Sequence, residues 1–291
     1  MASRQQIKQR IGSVKSTKQI TKAMQLVAAS KLRKAQEAAV GPRAYAEMAR
    51  GVLARLRNIA GGESEFHLFA QRPVKRRLLI VITSDRGLAG AYNANVIRRM
   101  IGELQKDRAS NVGTSVIVIG KQVAHAAGRI AGLDVRGAYQ ELPDKPDADT
   151  LRPILTTAVG LFADGTVDAV DLIYTKFVST IVQEVQVKRL LPAGLDLESS
   201  EEQHEDADIT VEPSAEVVLR SVTLRLLDAQ IYQALLEAAA SEHSMRMLAM
   251  KNATDNASDI VDDLTLEYNN ARQAAITQEL AEITGGAEAM K

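Results

Sequence analysis

Ser84 and Asp85 stand at the end of an apolar run, and Gly87 and Gly90 follow within "SDRGLAGAYN". Glycines placed after an apolar strand let backbone amides approach a phosphate, and a serine beside an acid is one part of a hydrolytic set. Neither chemistry is completed in this chain. A dinucleotide fingerprint needs three glycines as G-x-G-x-x-G, and this loop supplies only Gly87 and Gly90. A Walker A loop needs a Gly-Lys followed by Ser or Thr. Gly120-Lys121 is followed by Gln122, and no glycine stands five residues before Gly120. No histidine is near Ser84 in sequence, and Glu201 and Glu202 lie in a solvated acidic stretch rather than as a paired acid and base. The spacing therefore predicts a tight turn at Gly87 and Gly90 that lets a helix pack on the strand. Asp85 is expected to cap that helix or to pair with Arg86.

Composition narrows the chemistry further. The chain has 291 residues and no cysteine, which removes disulfides, thiolate nucleophiles and cysteine-based metal sites. His67, His125, His204 and His243 are scattered without ligand spacing, so no metal or cofactor is expected. Aromatic residues make up only 3 %, which places much of the apolar content in helical seams rather than in a ring-filled core. Lys plus Arg equals Asp plus Glu at 36 each, but the charges are segregated. The segment up to Arg57 is basic, with only Glu37 and Glu47 opposing it. Asp196 to Glu216 has no Lys or Arg, and the C-terminal region is acidic as well. The basic segment has one stacking aromatic, Tyr45, and no nucleic-acid motif. An acidic protein surface, including this chain's own C-terminal segment, is the expected partner, and nucleic acid is not. No apolar signal-peptide core and no run of about 20 apolar residues is present, so a cytosolic location, or one peripheral to another structure, is expected.

Three kinds of element must position that loop. Residues 3 to about 57 read as helix, with Ile7, Ile11 and Val14 as one apolar stripe that Ile20, Met24, Val27 and Lys31 resume. Gly41-Pro42 is expected to kink or interrupt it. Between 74 and 192, "RLLIVITS", "TSVIVIGK", "VDLIYTKFVS" and "VQVKRLLP" read as strands alternating with helical stretches, which predicts a parallel α/β sheet. The last two read as a hairpin. Residues 193 to 213 form an acidic linker. Residues 214 to about 284 lack Pro and Gly, and a heptad runs through them from Leu219, Val222 and Leu226 to Leu264, Tyr268, Ala271 and Ala275. Unbroken, that helix would be on the order of 105 Å long. Opposite charge predicts that the N-terminal helix, residues 1–60, pairs with the C-terminal one, residues 214–286, as an antiparallel coiled coil. Gly285 and Gly286 are expected to stop the latter. The fold class is thus α/β: a long antiparallel two-helix coiled coil plus a central Rossmann-like α/β domain. A free-standing coiled-coil scaffold and a nucleotide-binding enzyme are the alternative functions.

Three separated motifs, in order, resemble one family. "IKQRIGSVKSTKQITKAMQLVAASKLRKAQ", "SDRGLAGAYN" and "MLAMKNATDNASDIVDDLTLEYNNARQAAITQELAEITGGAEAM" are similar to the first shaft helix, the central-domain loop and the C-terminal signature of the gamma subunit of F-type ATP synthase. The resemblance implies a rotor shaft inside a hexamer of alpha and beta subunits. Its foot, with epsilon, would rest on the c ring at the cytoplasmic face of the cell inner membrane. It implies no bond chemistry in this chain, because the catalytic residues belong to beta. It also implies contacts with alpha and beta. Arg86 and Ala89 match the loop that faces the acidic lever segment of beta, and Lys22 and Met24 match shaft positions near that segment. Arg246, Arg272, Gln273 and Thr277 match positions higher in the bore. The cysteine-containing insertion of chloroplast members has no counterpart here, so thiol regulation is not expected.

Overall fold

The computed structural model describes residues 4–59, 67–143, 146–193, 212 and 214–289. Nearly all of the expected acidic linker lies outside the described residues. Two helices dominate the chain: α1 spans Arg4–Ile59 and α5 spans Ala215–Ala289. Neither expected break stops its helix. α1 continues through Gly41 and Pro42, and α5 continues through Gly285 and Gly286. Glycine costs a helix only about 1 kcal/mol relative to alanine. Proline removes a single backbone donor, and the flanking helical bonds carry the chain past it.

The chain divides into two compact units. The first unit joins Met1–Ala29 to Arg246–Lys291 and is an antiparallel helix pair. Thr254 Oγ1 donates to Thr21 Oγ1 at 2.8 Å across the pair. Along α5 the expected heptad faces inward: Met250, Thr254 and Ala257 are buried, and Val261, Leu264, Tyr268, Ala271 and Ala275 are half-buried. Counting seventeen residues back from Thr21 and forward from Thr254 puts Arg4 opposite Ala271. Burial along α5 accordingly fades after Ala275.

On α1 the seam differs from the expected stripe. It runs Ile7, Ile11, Val14, Lys18, Thr21, Met24 with Gln25, and Ala28, whereas Ile20 and Val27 are exposed at 60 % and 58 %. A helix pair demands 3-4 spacing throughout. The apolar residues slip by one position after Val14, so geometry places Lys18 and Thr21 in the seam and leaves Ile20 and Val27 outside.

The second unit, Ser30–Met245, is built on a five-stranded sheet. The strands are β1 (Arg76–Ile82), β2 (Gly113–Ile119), β3 (Asp134–Tyr139), β4 (Ala169–Phe177) and β5 (Gln183–Leu191). Their spatial order is β3-β2-β1-β4-β5. β1 pairs parallel with β2 and β4, β2 pairs parallel with β3, and β5 closes antiparallel on β4 as the expected hairpin. β3, "DVRGAY", carries no apolar run; it is a largely exposed edge strand, and its sequence gives no strand signal.

Side chains alternate between the two faces of the sheet, as strand geometry requires. Leu79, Val81, Val116, Val118 and Ile173 point to α2 (Tyr92–Ala109) and α3 (Lys121–Ala127). Leu78, Ile80, Ile117, Val170 and Leu172 point to α4 (Ala148–Ala163) and to Leu227, Ile231, Ala234, Leu235 and Ala238 of α5. The first thirty or so residues of α5 therefore cover the sheet in addition to carrying the heptad. Leu219, Leu226 and Leu236 of that heptad are buried as well, so this stretch is apolar on two faces.

Candidate partner-binding loop

The chain leaves β1, fills the sheet outward through β2 and β3, then returns to place β4 on the other side of β1. The loop after β1 therefore lies at the topological switch point, where doubly wound sheets place their ligands. Its Thr83, Ser84 and Asp85 side chains are nonetheless engaged by its own scaffold. Thr83 donates its N–H to Ile119 O at 2.8 Å, and its Oγ1 accepts from Val123 N at 3.0 Å. Ser84 N donates to Asn93 Oδ1 at 3.0 Å, Ser84 Oγ donates to Arg86 O at 2.7 Å, and Asn93 Nδ2 donates to Ser84 Oγ at 2.8 Å. The Ser84 hydroxyl is thus a structural bridge between loop and helix rather than a nucleophile.

Asp85 does not cap the helix that follows; its carboxylate reaches beyond its own loop. Its two carboxylate oxygens accept from Lys121 N at 2.9 Å and Glu141 N at 3.0 Å, tying three loops together at this end of the sheet. Lys121 Nζ in turn pairs with the Glu141 carboxylate. That hydrogen bond holds the Glu141 carboxyl below its ordinary range and raises the lysine. The next helix, α2, begins at Tyr92 without a side-chain cap.

The glycines also divide their roles differently from expectation. Gly90 has φ +56° and makes the turn, while a Cβ on Gly87 would meet nothing within 4 Å. Leu88, a branched residue, occupies the left-handed region at φ +61° with 64 % of its surface exposed. Arg86, Gly87 and Leu88 form the exposed tip. Ala89 is buried at 2 %, next to buried Tyr92, so it supports the tip from below rather than presenting a surface.

The other candidate contact residues lie on the helix pair. Lys22 is exposed, with Nζ donating to Gln25 Oε1 at 3.3 Å, and Met24 is half-buried at the seam. Arg246 is half-buried. Arg272, Gln273 and Thr277 are exposed on the stretch of α5 around and beyond the start of α1, and Thr277 Oγ1 donates back to Gln273 O at 3.0 Å. The structure thus groups Arg86 with Ala89 in one loop and Arg272, Gln273 and Thr277 on one helical surface.

A buried ion cluster in the sheet unit has no counterpart in the sequence reading. Arg77, 8 % exposed, pairs with Glu103 at 3.1 Å and Asp107 at 3.0 Å on α2 and with Asp171 on β4, and Arg189 of β5 also pairs with Asp171. Every pair in this cluster is 18 or more residues apart in sequence, and no local spacing announces it. Among the described residues no group of three His, Cys, Asp or Glu is placed to hold a metal ion. No described helix is long and apolar enough to cross a membrane.

A family model described as ATP synthase matches residues 3–290. The ATP synthase gamma chains of Staphylococcus carnosus and Cupriavidus metallidurans are 39 % and 42 % identical, each over the full length of both chains. The chain belongs to the ATP synthase gamma chain family. The fold is also found in solved structures. A chain from the central stalk and c ring of the Tetrahymena thermophila mitochondrial ATP synthase matches with a TM-score of 0.56 at 27 % identity, over 80 % of this chain and 99 % of that one. A chain of the Euglena gracilis mitochondrial ATP synthase, solved with F1 and the c ring, matches with a TM-score of 0.67 over 98 % of this chain and 93 % of that one. At 18 % identity that likeness speaks for the fold alone.

Proposed function

We infer that this chain is the central rotor shaft of a proton-translocating F-type ATP synthase, carrying torque between a membrane c ring and the catalytic beta subunits. The observation that carries the reading is the full-length match to gamma chains, together with a fold that serves a shaft. α5 is one strand of the helix pair and also the cover of the sheet. Leu227, Ile231 and Leu235 of α5 pack on the central sheet, and the same helix continues into the helix pair. Partners in this reading are alpha, beta and epsilon subunits and the c ring. The chain lies peripherally on the cytoplasmic face of the inner membrane and performs no bond chemistry. The structural roles of Ser84 and Asp85 in the β1–α2 loop support that last point.

Arg86 is the residue through which the loop addresses an acidic beta segment. Its contact must break each part-turn, and an exposed charge pair worth about 0.2–1 kcal/mol suits that. The first test is co-purification: the chain should bring down alpha and beta subunits, and failure to do so overturns the shaft reading. Arg86→Glu should then lower ATP-driven proton pumping in assembled complexes while the melting temperature of the isolated chain stays unchanged. Unchanged pumping would remove Arg86 from the contact.

A further inference from the structure

α5 meets the sheet in two chemically different ways. Over Leu227, Ile231, Ala234, Leu235 and Ala238 the contact is aliphatic, and apolar burial has no directional preference. The turn that follows is polar. Ser241 Oγ donates to Thr175 O of β4 at 3.2 Å, and Ser244 Oγ donates to Thr180 O in the β4–β5 turn at 2.7 Å. Both serines are fully buried at 0 % exposure. A hydroxyl inside a helix ordinarily donates to the carbonyl one turn back. Thr223, Thr265 and Thr277 on the same helix do so, to Leu219, Val261 and Gln273. Ser241 and Ser244 instead spend their hydrogens on backbone more than 60 residues away in sequence.

The acceptors are held in place before α5 reaches them. Ser179 N donates to Val182 O at 2.9 Å, and Ser179 Oγ accepts from the backbone N–H of Ile181 and of Val182. Gln183 Nε2 lies 3.0 Å from Ser179 O, 2.9 Å from Thr180 O and 3.3 Å from Ser244 Oγ, so it ties the turn to itself and to the helix. The turn is apolar outside, with Ile181 exposed at 79 %. β1 and β4 run parallel, so it lies at the end of the sheet that also carries the β1–α2 loop. Ser241 and Ser244 stand on the last turn of α5 within the second unit, which ends at Met245.

We propose that Ser241, Ser244 and the β4–β5 turn form a clamp that fixes the roll of α5 about its own axis at the point where the helix leaves the sheet unit. A roll of about 30° carries a side-chain oxygen near the helix surface by roughly 2–3 Å, enough to break a directional hydrogen bond. Aliphatic contacts yield more gradually. The geometry of the clamp stands on this chain alone. Its consequence rests on the shaft reading: torque between the sheet unit and α5 is passed on rather than lost as roll.

The absence of cysteine makes the test direct. Gln105 on α2 and Arg225 on α5 are both exposed, and α2 and α5 cover opposite faces of the sheet. Spin labels on Gln105→Cys and Arg225→Cys in the full chain report the roll as the width of their distance distribution, read by double electron–electron resonance. Ser241→Ala combined with Ser244→Ala should widen it by about twofold, because only non-directional contacts then remain. Thr223→Ala removes a buried α5 hydroxyl bonded to its own helix and should leave the width unchanged. An unaltered width in the serine variant, or equal widening in Thr223→Ala, overturns the clamp. Ser244→Ala alone carries the same test if the double variant does not fold. In the assembled synthase, a bead on Gln105→Cys should show about twofold larger angular variance with the serines removed. Equal variance overturns the role in torque. Failure of the shaft reading shows itself separately, because the unaltered chain then fails to co-purify with alpha and beta while the spin-label result stands.

Discussion

Gly120 and Leu88 both occupy the left-handed region of backbone space, for opposite reasons. At Gly120, φ is +98° and a Cβ would stand 2.3 Å from the Thr83 carbonyl oxygen, so only glycine lets the β2–α3 turn close against the end of β1. Gly120→Ala is expected to cost about 3 kcal/mol, combining overpacking against rigid backbone with left-handed strain. Urea unfolding of the isolated chain measures it, and a loss under half that size would contradict the close approach. Leu88 has no such excuse: its side chain is exposed and its conformation is strained. Leu88→Gly should stabilise the isolated chain by about 1 kcal/mol. A loss of coupled proton pumping alongside that gain would mark the strain as kept for a partner, and unchanged pumping would show that it is not.

At the scale of elements, the Arg77 cluster clamps β1, β4, β5 and α2. Arg77→Leu removes the buried cation shared by Asp171, Glu103 and Asp107, although Arg189 still pairs with Asp171, and Arg99 and Lys106 with Glu103. The expected loss is about 3–5 kcal/mol, read as a lower urea midpoint. The cluster also makes stability depend on acid. Burial pushes the Glu103 carboxyl up, but hydrogen bonds from Lys106 and Arg77 outweigh it and hold the group below its ordinary value. A depressed carboxylate contributes its stability above the unfolded pKa and loses it as pH falls through the folded one. Unfolding free energy measured from pH 6 downward should therefore fall more steeply in the native chain than in Glu103→Gln below about pH 4.5. Parallel curves would show that Glu103 contributes nothing to the acid response. The β4–β5 hairpin belongs to this scale too. It is rigid because α5 serines hold it.

At the scale of the molecule, α5 is shared. Its early part closes the sheet, its middle pairs with α1, and residues from Ile276 to Gly286 are exposed, with Ile276, Leu280 and Ile283 uncovered at 47 %, 58 % and 68 %. Truncation after Ala275 should change the unfolding free energy of the isolated chain by less than about 0.5 kcal/mol, as for other surface changes. The same truncation removes Thr277 and should impair assembly or coupling with alpha and beta. A large loss of stability would mean that the end of α5 folds back on the chain. Unaltered coupling would remove Thr277 from the contact surface.

Sequence by itself determined what depends on local chemistry. Two long helices, an α/β segment between them, a closing hairpin, the heptad of α5 and the lack of a complete phosphate motif were all legible. Helix length and seam spacing follow from residues a few positions apart, and the three family motifs are contiguous stretches. Tertiary structure decided whatever depends on residues far apart in the chain. The α1 seam took Lys18 and Thr21 over Ile20 and Val27, because α5 fixes the spacing that its partner must follow. β3 exists because β2 offers it an edge, and "DVRGAY" announces no strand alone. Asp85 accepts from the amides of Lys121 and Glu141, which only the sheet topology brings within reach. Arg77 met Asp171 across β1 and β4, and the apolar hairpin tip came to share one end of the sheet with Arg86, because those strands run parallel.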